Sequence, residues 1–138
     1  MAMARSTATE VGTEPTPVSH QMTMEDMILF ADEGDRNIHT DDDVAQAAGL
    51  PGAVVAGVQM MGYIFEMLHQ EYGFDSVSGT VLDVRFRALV LAEDTVTARG
   101  RVTGSEAEGD GRLLHLEVRC ENQRGDQVVT GIAQVPFA

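Results

Sequence analysis

The chain reads as an α+β domain in which two short helices precede one long central helix, and a long antiparallel sheet wraps around that helix. Three observations predict this. Apolar residues up to Tyr72 recur at helical spacing. From about Ser76 the pattern changes to strict alternation, broken by turn residues at Ala92-Glu93-Asp94, Glu108-Gly109-Asp110-Gly111 and Arg124-Gly125-Asp126. The last helix before that change is apolar around almost its whole circumference, so it must be covered on most sides, and a curved sheet does this.

Residues 1–17 are rich in Thr, Ala, Glu, Gly and Pro without an apolar period, which predicts a disordered tail ahead of a single domain over residues 18–138. A short first strand is expected over residues 18–22. Thr23 then caps a helix, with Asp26 at the third position and Met22 and Met27 as a hydrophobic staple. Met24, Met27, Ile28 and Ala31 form its apolar stripe, and Gly34 is the expected stop. Thr40 is expected to cap the second short helix, with Asp41 and Asp42 in a first turn that favours anions, and Gly49 and Pro51 to end it. Gly57 opens the central helix, which carries Val58, Met60, Met61, Ile64, Phe65, Met67 and Leu68 and ends at Tyr72-Gly73. Four strands follow in hairpin order, at 76–90, 94–107, 111–123 and 126–137, with one polar face.

A length of 138 residues suits one domain with a core that needs no staples. Cys120 is the single cysteine, which excludes an internal disulfide framework and a cysteine-based zinc site. The net charge is −13, and all nine basic residues are Arg. Such a surface repels phosphate backbones and anionic lipid, so nucleic-acid and membrane roles are not expected. No apolar run is long enough to span a bilayer, and a cytoplasmic protein is the expectation.

Between the first two helices, the loop in residues 30–45 brings Asp35, Asn37 and His39 together within five residues. An acid, an amide and an imidazole between apolar helices suggest an active site. Taken alone, His39 also reads as an imidazole satisfied by a backbone carbonyl, and Asp35 and Asn37 as turn formers. The run Asp41-Asp42-Asp43 beside His39 is no metal site by this reading, because consecutive helical residues point about 100° apart; the three acids suit the helix start. Arg85, Arg87, Arg99 and Arg101 fall on one face and read as a solvated surface paired with Asp83 and Glu117 rather than as a phosphate patch.

Gly34-Asp35-Arg36-Asn37-Ile38-His39 resembles the hydratase loop of the MaoC-like family, the (R)-specific enoyl-CoA hydratases and 3-hydroxyacyl-thioester dehydratases. Gly49-Leu50-Pro51-Gly52 and Ala56-Gly57 resemble that family's run into its central helix, and Phe86-Arg87-Ala88-Leu89-Val90 with Asp94-Thr95 its second signature. The resemblance covers about residues 18–137. Two positions depart from it. The proline that usually follows Asn37 is absent, so Asp35 stands four residues before His39 instead of five, and Ala56 stands where a His is common.

The resemblance implies the hotdog fold, a symmetric homodimer through edge-to-edge sheet pairing, and reversible hydration of a 2-enoyl thioester. No cofactor is implied beyond the coenzyme A or carrier protein that bears the acyl group; the acidic surface leans towards coenzyme A. His39 is then the base, Asp35 its acidic partner, Asn37 a polar helper and Gly57 the amide donor to the thioester oxygen. As the first residue of the central helix, Gly57 has an N–H without an intrahelical acceptor, at the positive end of the dipole. Val55, Val58, Met61 and Phe65 are the candidates to line the acyl slot. The shortened loop keeps two alternatives open: a tailoring hotdog enzyme (isomerase, cyclase or thioesterase) and a non-catalytic subunit of a heteromeric hydratase.

Overall fold

The computed structural model describes residues 9–32 and 34–137. In chain order the elements are β1 (Val18–Gln21), α1 (Met24–Ala31), α2 (Asp42–Ala47), α3 (Gly57–Tyr72), the single turn α4 (Phe74–Val77), β2 (Val81–Phe86), β3 (Thr95–Glu108), β4 (Gly111–Glu121) and β5 (Gln127–Phe137). The five strands form one sheet in the order β1-β3-β4-β5-β2, and every neighbouring pair is antiparallel.

Alternation sets which side of the sheet faces α3. Val96, Ala98 and Val102 of β3, Leu114, Leu116, Val118 and Cys120 of β4, and Val129, Ala133 and Val135 of β5 are buried. They close on Met60, Ile64, Met67 and Leu68 of α3 as one core. Burying each Leu or Ile side chain contributes about 1.5–3 kcal/mol, so this helix–sheet contact is the main stabilising element. On the outer face, Arg99 and Arg119 share Glu121 at 3.3 and 2.6 Å, and Arg101 meets Glu117 at 3.4 Å. Asp83, expected among these partners, has no ion pair among the described residues; Glu121 takes that place because it neighbours both guanidinium groups.

Four expectations are corrected. The second strand is shorter than 76–90, because residues 74–77 turn as α4 and the chain leaves the sheet after Phe86. Arg87 N–H still donates to Val128 O at 2.8 Å, and the chain then turns to a different partner, with Val55 N–H donating to Val90 O at 2.8 Å and a bridge between Val54 and Leu91. Extended chain outside a sheet has the same alternation as a strand. The first helix stops at Ala31, and the chain turns at Asp32, with φ of 102°, ahead of Gly34. Asp32 stabilises that turn itself, its carboxylate accepting from Gly34 N–H at 3.0 Å and its carbonyl from Asp35 N–H at 3.2 Å. Asp41, not Thr40, caps α2 by accepting from Val44 N–H at 3.1 Å.

The fourth correction concerns the N-terminal tail, of which residues 1–8 lie outside the described residues. Residues 9–17 are ordered against the domain. Gly12 N–H donates to Val102 O at 2.8 Å, Val102 N–H to Thr13 O at 2.9 Å, and Thr16 N–H to Glu71 Oε1 at 3.0 Å. Pro15 is buried, its ring beside Gly100. The segment follows the edge of β3, whose unpaired backbone groups hold a polar chain that composition alone marks as disordered. Thr23 caps α1 as expected, accepting from Asp26 N–H at 3.1 Å.

Candidate active site

The loop between α1 and α2 is held by its own polar side chains. Thr40 Oγ1 accepts from Asn37 N–H at 2.9 Å and donates to Asp35 O at 2.8 Å. Asn37 Oδ1 accepts from His39 N–H at 2.8 Å, and Asn37 Nδ2 donates to Asp35 Oδ2 at 3.2 Å. Arg36 is spent on Asp41, with Nε–H donating to Oδ2 at 2.8 Å. That contact holds the Asp41 carboxyl below the usual carboxylate range.

Asp35, Asn37 and His39 are thus joined in one network, but Asn37 is the link. The Asp35 carboxylate is exposed and reaches its neighbour's amide, not the imidazole. With only three residues between Asp35 and His39, the turn closes through Thr40 and Asn37. Asn37 spends both ends of its amide on the turn, which makes it a positioning residue.

The imidazole is fixed from the other side. His39 Nδ1 lies 2.8 Å from the carbonyl of Val54, and Val54 N–H donates to Ile38 O at 3.0 Å. A carbonyl accepts only, so Nδ1 carries the proton and Nε2 keeps its lone pair in the neutral ring. Nε2 has no hydrogen bond to a described residue. The backbone-satisfied histidine and the positioned base are therefore the same arrangement, since the bond that satisfies Nδ1 frees Nε2 to take a proton.

Val54 also leads to Gly57. Val54 and Val55 pair with Leu91 and Val90, and Ala56 is extended into the start of α3. Three residues of extended chain span at most about 10 Å, so the carbonyl that holds the imidazole lies within about one small substrate's length of the first amide of α3. The N-termini of α1 and α2 are capped by Thr23 and Asp41, whereas α3 begins at Ala56-Gly57 with no side-chain cap. Gln59 N–H folds back to Ala56 O at 3.0 Å, and the N–H groups of Gly57 and Val58 are left for something else to satisfy. Gly57 has a close neighbour that the sequence did not single out: a Cβ built on it would come within 2.7 Å of the Cε1 and Cζ atoms of Phe86.

Of the acyl-slot candidates, Val55 is buried in the core beside Val90. Val58, Met61 and Phe65 share one flank of α3, within about 60° of one another at 100° per residue. Val58 is 66% exposed, and Met61 and Phe65 are half-buried. Asp42 does structural work, its carboxylate accepting from Ala53 N–H at 2.8 Å and tying α2 to the segment that enters α3. Among the described residues no group of three His, Cys, Asp or Glu side chains could hold a metal ion.

A second polar cluster, also missed, lies on the opposite flank of α3. His20 Nε2 is 2.6 Å from Glu66 Oε1, and the His20 ring stacks on Tyr63 with centroids 4.2 Å apart. Gln59 Nε2 donates to the Tyr63 hydroxyl at 2.9 Å, while Gln59 Oε1 is buried without a partner among the described residues. The i, i+4 spacing of Gln59 and Tyr63 is the one sequence signal for it.

Comparison with known proteins agrees with this fold. Residues 6–126 match the MaoC like domain. No curated protein sequence matches the chain. Among solved structures, the (R)-hydratase from A. caviae involved in PHA biosynthesis is 26% identical and superposes with a TM-score of 0.76, over 94% of this chain and 97% of that one. The R-hydratase PhaJ1 from Pseudomonas aeruginosa is 25% identical, with a TM-score of 0.76 over 94% and 83% of the two chains. The ChsH1-ChsH2 complex from Mycobacterium tuberculosis is 23% identical, with a TM-score of 0.74 over 94% and 99%, which speaks for the fold alone. No described helix is long and apolar enough to cross a membrane. With its α3 wrapped by the β1-β3-β4-β5-β2 sheet and its His39 loop set before the open end of that helix, the chain is a hotdog protein and belongs to the MaoC-like hydratase and dehydratase family.

Proposed function

We propose that this protein catalyses reversible addition of water to a 2-enoyl thioester, giving a 3-hydroxyacyl thioester. The observation that carries the reading is the Nδ1 bond from His39 to Val54 O, which leaves Nε2 as an acceptor on the same segment that ends in the uncapped N–H of Gly57. In the hydration direction Nε2 takes a proton from water as its oxygen bonds to C3. The C2=C3 electrons move towards the thioester carbonyl, and Gly57 N–H stabilises the negative charge on that oxygen. Nε2 then passes that proton to C2, which completes the product and returns the ring to its neutral form. Asp35, through Asn37, steadies the loop that carries His39. The substrate is carried on coenzyme A or a carrier protein, with coenzyme A favoured by the −13 net charge, and no further cofactor takes part. The protein acts in the cytoplasm.

The test is loss of absorbance of a crotonyl-type thioester. His39→Ala is expected to lower kcat by at least 100-fold, in line with the 10²–10⁴-fold usual for a general base. Asp35→Asn is expected to cost less, because the carboxylate works through Asn37. No turnover by the wild-type chain with any enoyl thioester overturns the proposal.

The exposed edge strand β2 supports a symmetric homodimer. It pairs with β5 on one side only, Val81 and Phe86 are exposed on it, and Leu89 is exposed just beyond it. A second reading, a subunit of a two-chain hydratase, draws on the exposed Asp35 carboxylate. It is excluded if the purified chain turns over substrate as a homodimer.

A further inference from the structure

The geometry points to Phe86 as the residue that sets which substitution the substrate tolerates at its α-carbon; this rests on the hydratase reading. The starting observation is the contact between Phe86 and Gly57. The ring carbons Cε1 and Cζ occupy the space into which a Gly57 Cβ would project. In a helix every Cα–Cβ bond tilts towards the N-terminus. A ring in that direction from the first residue of α3 stands at the amide end of the helix, beside the N–H that is offered to the thioester oxygen.

The strand explains how the ring gets there. Phe86 is the last residue of β2, paired with Val129, and it alternates with Arg85 and Arg87. Arg87 turns to the outer face, its Nε–H donating to Thr130 Oγ1 at 2.6 Å. Phe86 is therefore sent to the inner side, towards α3. A few residues after it, Val90 and Leu91 pair with Val55 and Val54, so the ring belongs to the same frame that holds His39 through Val54. The ring is 52% exposed: it is seated on Gly57 on one side and open on the other.

A thioester whose oxygen lies at the Gly57 N–H has C1 at that amide, and C2 one bond farther on. A planar enoyl thioester fits edge-on against a flat aromatic wall. A branch at C2 adds a methyl group to that plane, on the side nearest the carbonyl, where the ring already touches the helix. Phe86 thus selects an unbranched α-carbon and holds the conjugated plane square to the imidazole. Glycine at 57 has two duties under this arrangement: it bares the amide, and it leaves the ring its seat.

The experiment measures kcat/KM for the purified full-length chain on crotonyl-CoA and on 2-methylcrotonyl-CoA, for wild type, Phe86→Leu and Phe86→Ala. The wild type is expected to prefer the unbranched substrate by at least 10-fold. Phe86→Ala is expected to shrink that preference by at least 10-fold and Phe86→Leu by a smaller factor, chiefly through a gain on the branched substrate. Thermal melting confirms that each variant is folded, and Phe86→Leu carries the test if Phe86→Ala is not. An unchanged preference in a folded variant, or a wild type indifferent to the branch, overturns the assignment while leaving the hydratase reading in place. Failure of the wild type on every enoyl thioester removes both.

Discussion

At the scale of single residues, the site depends on which atoms are left over once the fold has been satisfied. His39 spends Nδ1 on Val54 O and keeps Nε2; Gly57 spends no side chain on a cap and keeps its N–H. Gly57→Ala separates stability from activity. The added methyl meets only the far end of a half-exposed ring, which can swing aside at small cost, and Ala gains up to roughly 1 kcal/mol over Gly in a helix. The melting temperature should change little. Turnover should fall by about 10²–10³-fold, the usual cost of losing one oxyanion donor, because methyl and displaced ring crowd the amide.

Cys120 shows the opposite case, a reactive group made inert. Burial pushes its thiol up to about 12. A free thiol titrates near 8.5, so folding favours the protonated form; that contribution is present below about 8.5 and lost as pH rises towards the folded value. Native protein should therefore resist thiol reagents at pH 8 and react at once in urea, as a chromogenic disulfide assay would report.

The elements differ in how much of them is legible in the sequence. β3, β4 and β5 fall within a residue or two of their expected limits, because alternation and Gly-Asp turns are local signals. α3 was visible from its apolar circumference, which only a wrapped helix can carry. The expected β2 was too long, because the alternation of Phe86, Arg87 and Ala88 continues past the strand and Val90 and Leu91 pair with Val55 and Val54 instead, a partner distant in the chain. The order at residues 9–17 was likewise hidden, since it comes from the edge of β3 and not from their own composition. Within the site, the residue types of the loop were readable. The direction of the Asp35 carboxylate and the seat of the Phe86 ring depend on contacts made across the fold.

Two element-scale predictions follow from this packing. Gly131 of β5 lies against the β2 backbone, where a Cβ would strike the Asp83 carbonyl and come within 2.7 Å of Val84 Cα. Backbone cannot swing aside, so Gly131→Ala should cost about 1–3 kcal/mol or more in urea unfolding and loosen β2. On the outer face, the hydrogen bond from Arg119, helped by Arg99, holds the Glu121 carboxyl below its usual range. A depressed carboxylate contributes stability above its unfolded pKa and loses it as pH falls through the folded one. Glu121→Gln should therefore flatten the acid side of the stability–pH curve, with little change in its slope above pH 6.

For the whole molecule, the −13 charge and the open β2 edge act against each other. Like charges oppose association, while unpaired backbone and exposed Val81 and Leu89 favour it. Light scattering should give twice the 14.9 kDa chain mass, with dissociation eased at low salt, where repulsion is least screened. Val81→Lys places a charge on the pairing edge and should give monomer.

The opposite border of the sheet is finished differently. There β1 is only four residues long, follows Pro15 and Pro17, and continues a segment that already lies along β3 through Gly12 and Thr13. A molecule with one sticky margin and one sealed margin can join a single twin and then has nothing left to offer. The stop against fibre growth is thus written into the least regular part of the chain.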